Sequence, residues 1–278
     1  PARAVVIGGG LLGLEAANGL AKRGMTVTVV HLMDWLMERQ LDRVAAEMLR
    51  QALESRGIAF RLPAETRAIL GTGRVAAVGL ADGAEIPADL VVMAVGIRPN
   101  VALAKAAGLH CERGVVVTDT LQTFDPRIYA VGECAQHRGQ TYGLVAPLFE
   151  QAKVCANQLA ELGHARYEGS RLATRLKVTG IDLFSAGNFA GGGGDALVLH
   201  DPGHAIYKKL VLKDNRVEGA ILYGDTLNAS WYFQLIRDAT NVSGIYERLM
   251  FGQPHLGDSG HGETAGAAAM ADDAEVCG

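Results

Sequence analysis

Gly8-Gly9-Gly10-Leu11-Leu12-Gly13 is a G-x-G-x-x-G loop, and its neighbours decide what it can do. The short apolar run Ala4-Val5-Val6-Ile7 precedes it. Leu14 to Arg23 has helical character and stops at Gly24, and a second apolar run, Met25 to Val30, follows. Strand, glycine turn, helix, strand is the context in which such a loop holds a dinucleotide pyrophosphate. Its glycines allow a tight turn, a close backbone approach to phosphate, and close packing of helix on strand. The helix start then offers N–H groups and partial positive charge to the phosphates. The alternative is a glycine-rich turn that merely closes a structural βαβ crossover. An acid at the end of the second strand would hydrogen-bond the ribose 2′-OH and favour NAD. His31 stands there instead, with no acid and no adjacent arginine; Arg39 is the nearest downstream.

Two further segments carry candidate residues. Gly96-Ile97-Arg98-Pro99-Asn100 follows the apolar run Leu90 to Val95. Alone it is a strand-ending turn, because Pro99 disfavours helix at Arg98. Ile128-Tyr129-Ala130-Val131 is predicted to be a buried strand ending in Gly132-Glu133. That places the Glu133 carboxylate at the carboxyl end of a sheet, where it can accept hydrogen bonds from ribityl or ribose hydroxyls. A solvated loop acid is the other reading. No side chain stands out as a catalytic acid, base or nucleophile. His137-Arg138 is expected to be a surface loop pair, His255 and His261 to be solvated, and Trp231-Tyr232-Phe233 to be helix core.

The elements that must position these residues follow from periodicity. Helices are predicted at Glu38 to Arg56, Pro147 to Leu162 and Asn228 to Thr240. Strands are predicted at Ile58 to Leu62 and in a meander turning at Gly71-Thr72-Gly73 and Asp82-Gly83. Leu90 to Val95 is continuous enough to be buried on both faces. Beyond Gly163 the strands Leu172–Val178, Leu183–Ala186, Ala196–Leu199, Tyr207–Leu212 and Val217–Leu222 make a separate unit. The 278 residues are 49% hydrophobic with a net charge of −4, so two or so domains with real cores are expected. No basic stripe suggests nucleic acid, and no apolar run approaches the ~18 residues needed to cross a bilayer. Four cysteines without C-x-x-C spacing suit a reduced, cytoplasmic interior, with Cys111, Cys134 and Cys155 as free core thiols. The start at Pro1 and the stop at Cys277-Gly278 look like those of a piece of something longer.

The glycine loop, the Gly-Ile-Arg-Pro-Asn strand end and the Gly-acid strand end, in that order, resemble the two-dinucleotide-binding-domain flavoprotein reductases. More narrowly, three blocks resemble the large subunit of the assimilatory NAD(P)H nitrite reductases. These are Val30 to Met33 through Leu36 to Asp42, Val131 to Cys134 with His137-Arg138-Gly139, and Tyr142-Gly143-Leu144-Val145-Ala146-Pro147-Leu148. The resemblance implies an α/β fold. A Rossmann-like NAD(P)-binding domain (1–97) would be followed by the C-terminal part of a FAD-binding domain (98–165) and a smaller α+β C-terminal domain (166–251). Residues 252–278 would be a flexible linker and the start of a 2Fe-2S domain, with Cys277 its first metal ligand. It implies that Gly8 to Gly13 with Glu15 and His31 bind NAD(P)H, with NADH favoured. Gly96 would mark the return to the FAD domain, while Gly132, Glu133 and the backbone of Pro147, Leu148 and Phe149 would meet FAD. Glu133 stands where the superfamily usually has Asp. Glu15 has a second reading, as an acid suited to a helix start.

The implied partners are downstream iron–sulfur and sirohaem domains or a small subunit, and a homodimer contact through the C-terminal domain. The implied flow is NAD(P)H to FAD to 2Fe-2S, 4Fe-4S and sirohaem centres. One cysteine cannot hold a four-ligand cluster, and the FAD domain's own glycine loop is not in this sequence. The chain by itself is therefore expected to bind NAD(P)H, to supply half a FAD site, and not to reduce nitrite. The alternatives are a flavoprotein serving nitrate reductase, rubredoxin or ferredoxin, a disulfide reductase, or a non-catalytic NAD-binding module.

Overall fold

The computed structural model describes residues 2–178, 180–191 and 193–253. Strand β1 (Arg3–Ile7), helix α1 (Leu11–Lys22), β2 (Thr26–Val30), α2 (Arg43–Glu54) and β3 (Ile58–Arg61) alternate as the apolar runs and glycines require. A meander of β4 (Thr66–Leu70), β5 (Ala77–Leu80) and β6 (Glu85–Pro87) intervenes before β7 (Leu90–Met93). The parallel sheet has the order β3-β2-β1-β7. Val5 and Val6 on adjacent positions are both fully buried, as a central strand covered on both faces demands. α1 and α2 cover one face, and the meander covers the other through Val78, Leu80 and Ala88 against Val5, Ile7 and Val30.

The middle of the chain is thinner. A short helix α3 (Ala102–Ala106) leads to β8 (Val115–Val117), which pairs in parallel with β9 (Ala135–His137), and then to helix α4 (Val145–Leu159). The strand expected at Ile128–Val131 is not formed. Tyr129 makes one isolated bridge to Gln122, and the Ala130 N–H donates to the Leu121 carbonyl. The segment is extended on one side only, because no second strand lies beside it among the described residues. β7 is likewise an edge rather than a doubly covered strand. Among the described residues it pairs with β1 alone, ends at Met93, and leaves Met93 exposed.

The C-terminal sheet is antiparallel, with the order β10-β11-β14-β13-β12. Its strands are β10 (Ala173–Val178), β11 (Ile181–Gly187), β12 (Asp195–Asp201), β13 (Ile206–Lys213) and β14 (Arg216–Tyr223), and helix α5 (Ala229–Asp238) lies against it. Alternation along the strands separates two faces. Phe184, Leu210, Ala220 and Leu222 pack on Tyr232, Leu235 and Ile236 of α5. Ile181, Leu183, Tyr207, Ile221 and Tyr223 point the other way and join the core of the parallel-sheet unit. The molecule is thus an α/β fold in which a Rossmann-like unit and a smaller α+β unit share one apolar contact.

Asp42 joins these two units. The helix expected from Glu38 begins only at Arg43, because residues 36–40 form a turn and Asp42 caps α2 by accepting from the Ala45 N–H at 3.1 Å. Its other oxygen accepts from the Tyr207 hydroxyl at 2.7 Å and lies 3.3 Å from Lys209 Nζ. Burial and this carboxylate together push the Tyr207 phenol upward from its ordinary pKa. Replacing Asp42 with Ala removes a helix cap and strips a buried hydroxyl of its acceptor, each costing about 1 kcal/mol or more. Asp42→Ala should therefore lower stability by about 2–3 kcal/mol in urea unfolding. Asp42→Asn, which still caps, should recover roughly half.

Candidate functional site

The glycine loop is shaped by steric exclusion. A Cβ on Gly8 (φ +115°) would overlap the Ala94 carbonyl oxygen, and one on Gly13 would overlap the Gly8 carbonyl oxygen. One on Gly9 would come within 2.8 Å of the His31 ring and of Leu36. Those three glycines are required by the protein's own packing. Gly10 is not, since a Cβ there meets nothing within 4 Å among the described residues. Gly10 is also the cap residue of α1, with extended backbone and no capping side chain. The first N–H groups of α1, at Leu11 and Leu12, therefore have neither an intrahelical acceptor nor a side-chain cap. Unpaired donors beside open space at a helix start fit a pyrophosphate.

His31 is buried and does not face open space. The Gly9 N–H can only donate, so His31 Nδ1 accepts it at 3.0 Å. That fixes the proton on Nε2, which donates to Glu38 Oε2 at 3.1 Å. Glu15 is exposed on the fifth residue of α1, beyond the first helical turn. The reading of Glu15 as a first-turn acid therefore fails.

A second cluster forms around the Gly132 turn. Gly132 has φ +94°, and its N–H donates to Gln151 Oε1 at 2.9 Å. Gln151 is buried on α4, two residues past Phe149. Glu133 is exposed. Pro147 is buried at the third residue of α4, Leu148 is half-buried, and Val145 and Phe149 are exposed on one face of the helix. The structure thus ties Gly132 to α4, the helix that carries Pro147 to Phe149, with Glu133 exposed beside the turn.

Residues 94 to 97 link the glycine loop to the start of α4. Ala94, at the end of β7, touches Gly8, and Gly96 (φ +89°) follows two residues later. Ile97 then reaches the residue before the α4 cap, where a Cβ on Gly143 would come within 2.9 Å of Ile97 Cδ1. One seam therefore runs from the glycine loop through residues 94–97 to Gly143 before α4, and α4 in turn holds Gly132 through Gln151. His255, His261 and Cys277 lie outside the described residues.

His137 departs from expectation. It is almost completely buried on β9, its Nε2 is 2.8 Å from Asp119 Oδ1, and its ring packs on Tyr167. Exposed Arg138 donates to both oxygens of the same carboxylate at 3.0 and 2.7 Å. Asp119, Glu38 and Gln151 are thus positioning groups with no signature in the sequence, since each meets its partner through the fold rather than through spacing.

A model of the pyridine nucleotide-disulphide oxidoreductase family matches residues 1–158. The chain belongs to this family. The rubredoxin NAD+ reductase C-terminal domain matches residues 173–240 of the same pyridine nucleotide-disulphide oxidoreductase chain. Nitrite reductase (NAD(P)H) of Bacillus subtilis (strain 168) is 48% identical over 99% of this chain, which spans 34% of that protein. The assimilatory nitrate reductase electron transfer subunit of the same organism is 44% identical over 81% of this chain and 29% of its own length. The chain thus spans about a third of these curated relatives. A FAD-dependent pyridine nucleotide-disulphide oxidoreductase from Desulfovibrio vulgaris superposes with a TM-score of 0.75 at 28% identity, covering 88% of this chain and 66% of that one. Membership makes FAD and NAD(P)H the cofactors to which the two clusters are to be compared. No described helix is long and apolar enough to cross a membrane.

The Asp119 carboxylate clamps His137 and Arg138 at the end of β9. Arg138 first, and then His137, lower the Asp119 carboxyl to about 2. An acid depressed in the folded state stabilises above its unfolded value, near 4, and loses that contribution as pH falls through the folded value. The melting-temperature gap between wild type and Asp119→Asn should therefore be widest near neutral pH and close between about pH 4 and pH 2. A gap that stays constant across that range would contradict the clamp.

Proposed function

We propose that this chain is the NAD(P)H-binding and flavin-supporting part of a reductase of the nitrite reductase type. In the whole protein it would pass electrons from NAD(P)H through FAD toward iron–sulfur and sirohaem centres. The observation that supports the reading is the seam at residues 94–97, which links the pyrophosphate-type loop to the start of α4, since hydride transfer needs two cofactor regions that meet.

In this reading the Leu11 and Leu12 N–H groups hold the coenzyme pyrophosphate, Gly10 leaves room for it, and Gly96 turns the chain from one cofactor region to the next. Glu133 accepts hydrogen bonds from flavin-side hydroxyls, and the backbone at Pro147 to Phe149 lies along the ring. A bound flavin supplies two-electron acceptance and one-electron release. The protein's share is positioning, and no side chain is assigned as a catalytic acid or base. The likeness to a nitrate reductase electron transfer subunit supports a second acceptor for the same module. The exposed apolar residues Met93, Val95, Ile97, Val145 and Phe149 flank the seam, and this supports a FAD site that another part of the whole protein completes.

Gly10 separates ligand binding from folding. Nothing in the protein's own packing requires a glycine there. Gly10→Val should leave the melting temperature within about 2 °C of wild type while weakening NADH at least about tenfold in a fluorescence titration. Unchanged NADH affinity would return the loop to a structural crossover. The purified chain should also keep no stoichiometric FAD through gel filtration. A one-to-one yellow complex would overturn the half-site reading.

A further inference from the structure

We propose that Glu38 is the residue by which this chain selects NADH over NADPH, accepting hydrogen bonds from the adenosine ribose hydroxyls. The assignment rests on the glycine loop being the coenzyme site. In such a loop the ribose is met by an acid at the end of the second strand. That place is taken here by His31, whose two ring nitrogens are already committed to the Gly9 N–H and to Glu38 Oε2. The imidazole therefore cannot serve the ribose, but it passes the place on to a carboxylate seven residues downstream.

The turn that carries Glu38 is docked on the glycine loop by a second, independent bond. The Met37 N–H donates to the Gly9 carbonyl at 3.0 Å, with Met37 fully buried and held at φ +52°. Gly9 is thus gripped on both sides, by His31 at its N–H and by residue 37 at its carbonyl. Glu38 is fixed one residue further on. Its side chain is one-quarter exposed, and Oε1 has no hydrogen-bond partner among the described residues. An anchored carboxylate with one free oxygen at the rim of a pyrophosphate loop suits a vicinal diol, and it repels a 2′-phosphate. Arg39, next in the chain and exposed, is the competing feature, since it would attract that phosphate.

The test is binding, not turnover. The intact chain is titrated with NADH and with NADPH, following coenzyme fluorescence, as wild type, Glu38→Gln and Arg39→Gln. Wild type is expected to prefer NADH. Glu38→Gln should shrink the ratio of the two dissociation constants by about tenfold with an unchanged melting temperature. Arg39→Gln should leave that ratio within twofold. An unchanged ratio in Glu38→Gln, or a wild-type preference for NADPH, overturns the assignment while leaving the loop reading intact. Failure of wild type to bind either coenzyme overturns the loop reading itself, and this assignment with it.

Discussion

The structure turns on a backbone collision that only glycine avoids. The Gly8 carbonyl occupies the space a Cβ on Gly13 would need, and the Ala94 carbonyl occupies the space a Cβ on Gly8 would need. At this point β1 ends, α1 begins and β7 ends, so three elements are locked at van der Waals distance with no side chain between them. Two features meet there. α1 starts after Gly10, which brings no capping side chain, and its first donors are left for an outside anion. β7 delivers Gly96 and Ile97 to a defined place, from which Ile97 reaches Gly143 and the start of α4. The loop and the second cluster are thus positioned by one contact.

Residues 35 to 42 extend that constraint to the C-terminal unit. The Met37 N–H is tied to the Gly9 carbonyl, the Leu41 N–H to the Met37 carbonyl, and Trp35 Nε1 donates to the Leu41 carbonyl at 3.1 Å. The next residue, Asp42, caps α2 and receives Tyr207 and Lys209 from the C-terminal sheet. A single short turn therefore holds Glu38 against the glycine loop at one end and the α+β unit against α2 at the other. In the sequence this stretch continues a helical pattern, since Leu41, Val44 and Met48 share a spacing. The helix nevertheless stops short of it, because Asp42 is a strong cap and Met37 sits in the left-handed region.

What was legible in the sequence was whatever local physics determines. The βαβ order around Gly8 to Gly13, the meander turns and the alternating C-terminal strands all follow from period and turn chemistry. What was illegible depends on partners far along the chain. Ile128 to Val131 has the composition of a buried strand, but composition does not supply a neighbouring strand, and here it bridges only to Gln122. His137 reads as polar and adjacent to arginine, so a surface place is the natural expectation. It is buried because Asp119, 18 residues away, supplies the acceptor that makes burying an imidazole tolerable. Likewise no acid directly follows β2 in the sequence, and only the fold brings the Glu38 carboxylate against His31 at that strand end.

The seam between the clusters also explains why so much apolar surface faces outward on one side. Val145 and Phe149 lie one helical turn apart on the exposed face of α4, and Met93, Val95 and Ile97 run along the open edge of β7 and its exit. A scattered exposed Leu or Val needs no account, but side chains flanking one line of contacts form a patch of the kind that meets a partner or a ligand. Water is a poor neighbour for these groups, and the backbone of residues 128–131 is bridged on one side only. A flavin ring along α4 and a strand laid beside residues 128–131 would satisfy both at once. The proposed half-site therefore rests on apolar surface and a one-sided extended segment in the fold, not only on likeness to larger reductases.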